Sequence, residues 1–482
     1  MSATTIPSVA HRGWTLVLAS LGVFMTSLDT LVVANSLPSL RLSLHANLGD
    51  LEWTVNSYNL AFAVALLTGA ALGDRYGRKR MYTIGLLGFT IASAAAALSP
   101  SVGMLIAARG AQGAAAAIVM PMTLTLISEA FPTEKRGAAI GLWGGITGLA
   151  VALGPVVGGA IVGGISWHWI FWLNVPVGLV LIPLSMSRLT ESFGPRSQLD
   201  VVGLLLAAAG FFGITWGLVR ANVIGWGSTE TITALVLGGV LVVAFLGWER
   251  RTKTPMLSSQ LFRSRGFNAA NGVSFLMYAS LFGVLFLMMQ FMQIALGYSP
   301  LNAGLRTLPW TGAPMIVAPI AGALADRFGN RPFLLIGLTL QALGLGWIAA
   351  IAKPGMSYPE LAVALGVAGV GISLCFPTVA NAVIGSAPPA DMGIASGTNS
   401  AIREIGGVFG IAILATVFAH PGVYTSAQTF TDHFKDAVWL GAAFSAIGIV
   451  AAAALPGRAS SGSGPAVSVH DTEVPVAAGE AA

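Results

Sequence analysis

Charge is what this sequence has least of: 9% of its 482 residues are Asp, Glu, Lys or Arg, against 55% that are hydrophobic. A soluble domain carries about 25% charged residues, so a folded globule of this length would lack the polar surface to cover itself, and lipid is the expected solvent. Cysteine is almost absent too. The lone Cys375 excludes an intramolecular disulfide and reads as a small packing residue. The basic residues form short clusters between apolar stretches rather than a stripe, so nucleic acid is not expected as a partner. There is no G-x-x-x-x-G-K-[ST] loop, which argues against an ATP-driven pump. H-E-x-x-H and G-x-S-x-G are also missing, and the six histidines fall near span ends, in loops or in tails, so neither a membrane enzyme nor a metal site is expected.

What the chain has is apolar length. Its 60 glycines and 24 prolines lie inside long hydrophobic runs, as membrane helices permit. Cutting at the polar interruptions leaves fourteen windows of about 20 apolar residues each. The run from Trp14 to Leu37 is too long for a signal-peptide core and reads as an uncleaved first span. With both termini in the cytoplasm, most Lys and Arg lie inside, including Arg12, Arg75, Arg78, Lys79, Arg80 and Arg327. Arg41, Arg220, Lys353 and Lys435 then lie outside. The expected fold is all-α and integral to the cytoplasmic membrane, with 14 transmembrane helices. Residues 1–13 form a cytoplasmic tail, 14–188 a six-helix bundle, 189–266 an inserted two-helix region, 267–456 a second six-helix bundle, and 457–482 a polar, disordered tail.

The two bundles are expected to be pseudo-symmetric because the sequence repeats itself. LGDRYGRKR, Leu72 to Arg80, returns as LADRFGNR, Leu324 to Arg331, with Asp74 and Asp326 separated by 252 residues. Pro121 and Pro377, Gly137 and Gly393, and Gly141 and Gly397 each match at an offset of 256. Parallel repeats of this kind build the two rocking halves of many secondary transporters around a central site.

Asp74, Arg75, Gly77, Arg78 and Lys79 after span two, and Asp326, Arg327 and Gly329 after span ten, resemble the cytoplasmic loop motif of the major facilitator superfamily. Arg109, Gln112 and Gly113 are similar to its span-four pattern, and Gly148, Gly154, Pro155, Gly158 and Gly159 to the span-five pattern of its antiporters. SWHWIFWLNVPVG, Ser166 to Gly178, and LDTLVVANSLP, Leu28 to Pro38, resemble stretches of the fourteen-helix drug:proton antiporter branch, with Leu31 where threonine is usual and Asn35 one place late. The resemblance covers about residues 14 to 455 and implies proton-coupled efflux of amphiphilic, cationic drugs or toxic metabolites by alternating access. It implies no enzyme activity, no cofactor beyond protons as coupling ion, a small-molecule substrate, and a monomer as the working unit. An uptake symporter or a narrow-specificity metabolite exporter of the same superfamily is the alternative.

Asp29 and Arg109 each lie eight residues inside the expected outer ends of their spans, so they are expected at one depth, about 12 Å below the surface. Intramembrane charges pair and usually have a function. Asp29 is expected either to alternate between a carboxylate on Arg109 or a drug and a protonated form, or to stay in a permanent pair that positions two helices. Arg403 and Glu404 lie near the middle of span thirteen, Glu404 as a second proton or cation site or as the charge that neutralises Arg403. The resemblance makes Asp74 and its basic neighbours a latch between the bundles in the outward-open state, with Asp74 on a helix N-terminus across the interface; they also serve as a topogenic charge cluster. It makes the span-five glycines the means of close packing against proton leak. Met25, Tyr58, Asn59, Gln112, Met289, Gln290, Gln293 and Trp310 are the candidate substrate contacts, chosen by residue type on spans expected to line the cavity.

Overall fold

The computed structural model describes residues 9–194, 200–252, 255, 260–388 and 392–456, and every regular element among them is helical. The first half runs α1 Val9–Ser43, α2 Leu48–Tyr76, α3 Arg78–Ala97, α4 Val102–Ala130, α5 Thr133–Gly164, α6 His168–Trp172 and α7 Asn174–Arg188. The inserted pair is α8 Val201–Ile224 and α9 Thr229–Glu249. The second half runs α10 Arg265–Gln290, α11 Pro300–Arg306, α12 Leu308–Thr311, α13 Ala313–Phe328, α14 Asn330–Ile351, α15 Tyr358–Gly385, α16 Met392–Phe418 and α17 Ala427–Ala453. Large apolar side chains face outward over its sides: Ile91, Val243 and Val450 are 61%, 69% and 71% exposed. Such a surface is stable against acyl chains and not against water.

Short polar linkers set the helix ends. Asn47 and Asp50 close a reciprocal capping box at the start of α2, and the Ser101, Ser228, Ser264 and Ser426 hydroxyls cap α4, α9, α10 and α17. The repeated loop has a backbone reason for its glycine. Gly77 between α2 and α3 has φ +104° and Gly329 between α13 and α14 has φ +87°, a region open to glycine, so each reverses the chain in one residue.

Packing repeats as the sequence does. α1 packs on α5, α2 on α4, and α3 on α4 and α7. In the second half α10 packs on α16, α13 on α15, and α14 on α15 and α17. Membrane helices gain little from the hydrophobic effect between themselves and rely on close van der Waals approach. Hence Gly113 of α4 lies against the Tyr58 carbonyl of α2, and Gly406 and Gly410 of α16 lie against the backbone of Phe275 and Ala279 in α10. The halves meet through α2 with α16 and α5 with α11, and α8 touches both α2 and α16.

Twelve of the described helices are long and apolar enough to cross a membrane, thirteen if Leu48–Leu66 and Thr68–Tyr76, bent by 51° from each other, count as one span. The fourteenth expected window is the helix α3, which opens on Arg78, Lys79 and Arg80, ends on four alanines, and falls outside that set. Fourteen spans are therefore not established by length and composition. Other boundaries also differ from expectation. α1 starts at Val9, inside the expected tail, and runs through Pro38 to Ser43, because one proline kinks a membrane helix without ending it. The expected tenth span is broken at Thr307 and Gly312 into α11, α12 and α13, and α10 passes into a π-helical turn, Phe291–Ala295. The expected tail at 457–482 lies outside the described residues.

Candidate functional site

The first half holds one dense polar cluster. Asp29 of α1 forms an ion pair with Arg109 of α4, and both are nearly sealed, at 2% and 0% exposed. The other carboxylate oxygen, Oδ1, accepts from Asn174 Nδ2 at 2.7 Å and Gln112 Nε2 at 3.3 Å. Gln112 also donates to Ser93 Oγ at 2.8 Å and accepts from Arg109 Nη1 at 3.0 Å. Arg109 Nε reaches the Thr54 carbonyl at 3.2 Å, and its guanidinium carbon lies 4.3 Å from the centre of the Tyr58 ring. Five helices thus converge on one carboxylate.

Every partner of that carboxylate is an N–H donor, so the cluster fits the ionised form. A protonated carboxyl would bring an O–H donor among these N–H donors, and Asn174 would have to turn its amide oxygen to accept it. The helix ends fall elsewhere than expected: Asp29 is about 21 Å from the end of α1 at Ser43, whereas Arg109 is about 11 Å from the start of α4. They meet because α1 overruns α4 at that end.

The second-half charges are placed differently. The Arg403 guanidinium carbon stands 5.0 Å from the centre of the Tyr278 ring, within its own half. Glu404 lies within electrostatic reach of both Tyr278 and, across the seam, Tyr58. Tyr58 therefore feels Asp29, Arg109 and Glu404 together. Nearby, Asn399 bridges α16 to α10 through Asn271 Oδ1 at 3.0 Å and Ser274 Oγ at 2.7 Å.

On the face that carries the α1–α2 and α10–α11 turns, the halves are shut against each other. Asn35 Nδ2 donates to the Pro155 carbonyl at 2.6 Å and the Pro300 carbonyl at 3.0 Å, while Gln293 Nε2 donates to Asn35 Oδ1 at 2.8 Å. The π turn carries Gln293 into that position. Tyr424 adds a second tie: its hydroxyl donates to Gln290 at 2.9 Å, and the Arg41 guanidinium sits 3.6 Å from its ring centre. Gly154 and Gly158 let α5 approach Leu31 and Val32 of α1, and Gly159 brings α5 onto the backbone of Pro300 and Leu301. A Cβ at Gly148 of the same motif would meet nothing within 4 Å among the described residues.

A Cβ at Gly159 would stand 2.3 Å from the Pro300 carbonyl oxygen, a backbone atom that cannot swing aside. Gly159→Val is expected to hold this face open at a cost of about 1–3 kcal/mol to the shut form. Oxidative cross-linking of Gly163→Cys to Leu301→Cys in a Cys375→Ser chain should fall about tenfold; unchanged cross-linking would show that the approach is not what shuts the face.

The loop motif bonds within the first half. Asp74 Oδ1 accepts from Arg78 at 2.8 and 3.0 Å, and Arg78 also pairs with Glu129 at the end of α4. Glu191 caps α3 by accepting from the backbone N–H of Lys79 at 2.9 Å and of Arg80 at 3.1 Å. Asp74 was expected on a helix N-terminus across the interface; its bonded partner here is Arg78, in a molecule shut on the opposite face. Arg75 is exposed and lies 5.2 Å over Tyr76, and Arg327 lies 5.9 Å from the Phe328 ring. The Asp326 side chain lies outside the described residues.

Among the substrate candidates, Gln112 belongs to the Asp29 cluster, while Gln290 and Gln293 belong to the shut face. Met25 is packed in the first-half core with Tyr58 and Phe62, and Met289 is fully buried in the larger core. Asn59 and Trp310 are buried with side-chain polar atoms that have no hydrogen-bond partner among the described residues. Sequence reasoning passed over Asn174, Ser93, Tyr424 and Glu191. Asn174 carried a signal, as a polar residue in the quoted stretch at the start of an apolar span.

The family profile described as Major Facilitator Superfamily matches residues 19–298 and 270–478. The chain is 34% identical over 420 residues to the tetracenomycin C resistance and export protein of Streptomyces glaucescens, covering 86% of this chain and 78% of that one. It is 37% identical over 426 residues to the multidrug resistance protein Stp of Mycobacterium tuberculosis, covering 88% and 78%. It is 31% identical over 431 residues to the methylenomycin A resistance protein of Bacillus subtilis, covering 89% and 91%. Among solved structures, a POT peptide transporter in complex with sulfate superposes with a TM-score of 0.68 at 16% identity over 92% of this chain and 94% of that one. The Escherichia coli xylose transporter XylE, in a partially occluded inward-open form, gives 0.61 at 16% identity over 91% and 96%. With the repeated halves, the seam between them and the loop motif in both copies, these likenesses make the chain a multi-pass membrane transporter that belongs to the major facilitator superfamily.

Proposed function

We propose that the protein exports amphiphilic drugs or toxic metabolites, cations among them, from the cell in exchange for protons. The observation that carries this reading is the Asp29 carboxylate, sealed in the first half and held by Arg109, Asn174 and Gln112. In this reading protonation of Asp29 loosens its hold on Arg109 and with it α1 from α4. Glu404, within electrostatic reach of Tyr58 across the seam, is the second acid of the proposal, for a proton or a substrate cation. The names of the relatives, resistance and export proteins for antibiotics, support outward transport of drugs.

In the cycle, substrate enters from the side of the chain termini, read as the cytoplasm, while the opposite face is shut at Asn35, Pro155 and Pro300. A proton reaching Asp29 from outside frees Arg109 and drives substrate release. The test is proton movement out of acid-loaded inverted vesicles on adding a cationic dye, read from a pH-sensitive fluorophore. Dequenching that vanishes in Asp29→Asn is the expected result. Dye transport without any proton movement would remove the antiport mechanism, and proton movement in the same direction as the dye would make the protein a symporter.

A further inference from the structure

Two amides of α2 lie buried outside the Asp29 cluster and outside the contacts that shut the face. Asn56 and Asn59 are each 0% exposed, and in both the side-chain oxygen and the NH2 have no hydrogen-bond partner among the described residues. These atoms are sealed too tightly for water to sit beside them. Buried polar groups are nearly always paired, so a stranded one marks stored cost.

Their place on α2 follows from its turn of about 100° per residue. Trp53, Leu60 and Val64 face α8, while Thr54 and Tyr58 face α4. Glu52, Asn56, Asn59 and Ala63, spaced by four, three and four, form the remaining face, and the other long helix packed broadly on α2 is α16 of the second half. Asn56 and Asn59 lie about 12 and 17 Å along α2 from its end at the shut face. Glu52, at the outer end of this row, is within electrostatic reach of Tyr424 of the second half, so the row follows the seam.

The covering helix explains why the amides are unmatched. From Ile405 to Phe418, the part of α16 nearer the shut face, Thr416 is the sole polar side chain, and its hydroxyl donates to the Ala412 carbonyl of its own helix at 2.7 Å. The buried Val408, Ile411 and Ala415 offer neither donor nor acceptor from their side chains. Asn35, by contrast, finds two carbonyls at the same face.

We infer that Asn56 and Asn59 are a built-in bias against the shut form. Closed against α16, their amides are dry and unpaired; when the halves part on this face, water enters between α2 and α16 and pairs them. They press the face to open, against Asn35, Gln293 and Tyr424, which hold it shut. The opposition brings the two forms close enough in free energy for both to be visited. The inference rests on alternating access in the reading above and not on proton coupling.

The test is oxidative cross-linking of Gly163→Cys to Leu301→Cys in the full Cys375→Ser chain, in proteoliposomes without substrate or a pH gradient. In an Asn35→Leu background, adding Asn56→Leu or Asn59→Leu should raise cross-linking about tenfold, because leucine strands no amide in the shut form and meets water in the open one. In the chain that keeps Asn35, each variant should raise the thermal unfolding temperature in detergent. A lower unfolding temperature, or cross-linking that stays at the Asn35→Leu level, would mean that the amides find partners in the shut molecule and would overturn the bias. Gln341→Met is the control. Gln341 Oε1 is also buried without a partner among the described residues, but it lies within one half, where Gln341 meets Ser280 and Ser280 meets Ser445. It should leave cross-linking unchanged, and equal recovery would reduce the effect to general stabilisation and overturn the bias as well. Neither readout involves proton movement, so failure of this inference and failure of antiport are distinguished.

Discussion

Arg109→Met is expected to abolish transport and to destabilise the first half strongly. The methionine matches the length of the arginine stem but leaves the Asp29 carboxylate buried with the amides of Asn174 and Gln112 as its remaining bonded partners. Stranding one member of a buried pair costs about 3–5 kcal/mol, comparable with the whole stability of many domains. Asp29→Asn is expected to be milder. The amide keeps the shape, yet its NH2 must face either Arg109 or the Asn174 and Gln112 donors, which leaves one donor opposed to another. It therefore imitates the protonated state. The double variant should recover most of the stability lost in Arg109→Met and none of the coupling, because the buried charge is gone and so is the titrating group. Thermal unfolding in detergent measures the first effect and vesicle proton flux the second. If Arg109→Met retained full proton-coupled flux, the pair would be a structural strut and the coupling would lie elsewhere, with Glu404 the next candidate.

The contrast between Asp29 and its surroundings shows what the sequence could and could not carry. A lone acid in one apolar window and a lone arginine in another are visible without coordinates, because lipid makes unpaired charge costly. Their pairing followed from that cost, although the depth used to argue it was set by a helix end that Pro38 did not impose. The repeated loop was equally legible, since Gly77 and Gly329 stand where the backbone needs positive φ. Asn174 was harder to assign. An asparagine near the start of an apolar span has many uses, and only the convergence of α7 on α1 turns it toward Asp29. Substrate contacts chosen by residue type fared differently again: Gln290 and Gln293 bind protein groups at the shut face, where long amides on both halves can satisfy each other once the halves meet. The sequence marked α8 and α9 as an inserted pair, but the contact of α8 with both α2 and α16, distant in the chain, has no local pattern to announce it.

Asn35→Leu is expected to change which face of the transporter is open. Asn35 is fully buried, and its amide makes three contacts that join α1 to α5, to the start of α11 and to the π turn. Leucine has the same number of side-chain heavy atoms, but a methyl cannot approach the two carbonyls as the amide does, so both the hydrogen bonds and part of the close approach in the shut form are lost. Each hydrogen bond contributes about 0.5–1.5 kcal/mol net; the two carbonyls left behind are exposed to solvent once the face opens, while Gln293 Nε2 keeps its bond to the Asn35 backbone carbonyl. The penalty thus falls on the shut form and hardly on the open one. A difference of about 2–3 kcal/mol between the two states moves their ratio by roughly 30- to 150-fold. With Gly163→Cys and Leu301→Cys as a reporter pair in a Cys375→Ser chain, oxidative cross-linking across the shut face should fall accordingly, and substrate entry from the side of the chain termini should slow. Gln293→Ala removes one of the three contacts and should give an intermediate shift. Cross-linking in Asn35→Leu at the parent rate would mean that the shut face is held by α5 against α11 alone, through Gly159 and Pro300, with the asparagine a bystander satisfied by proximity.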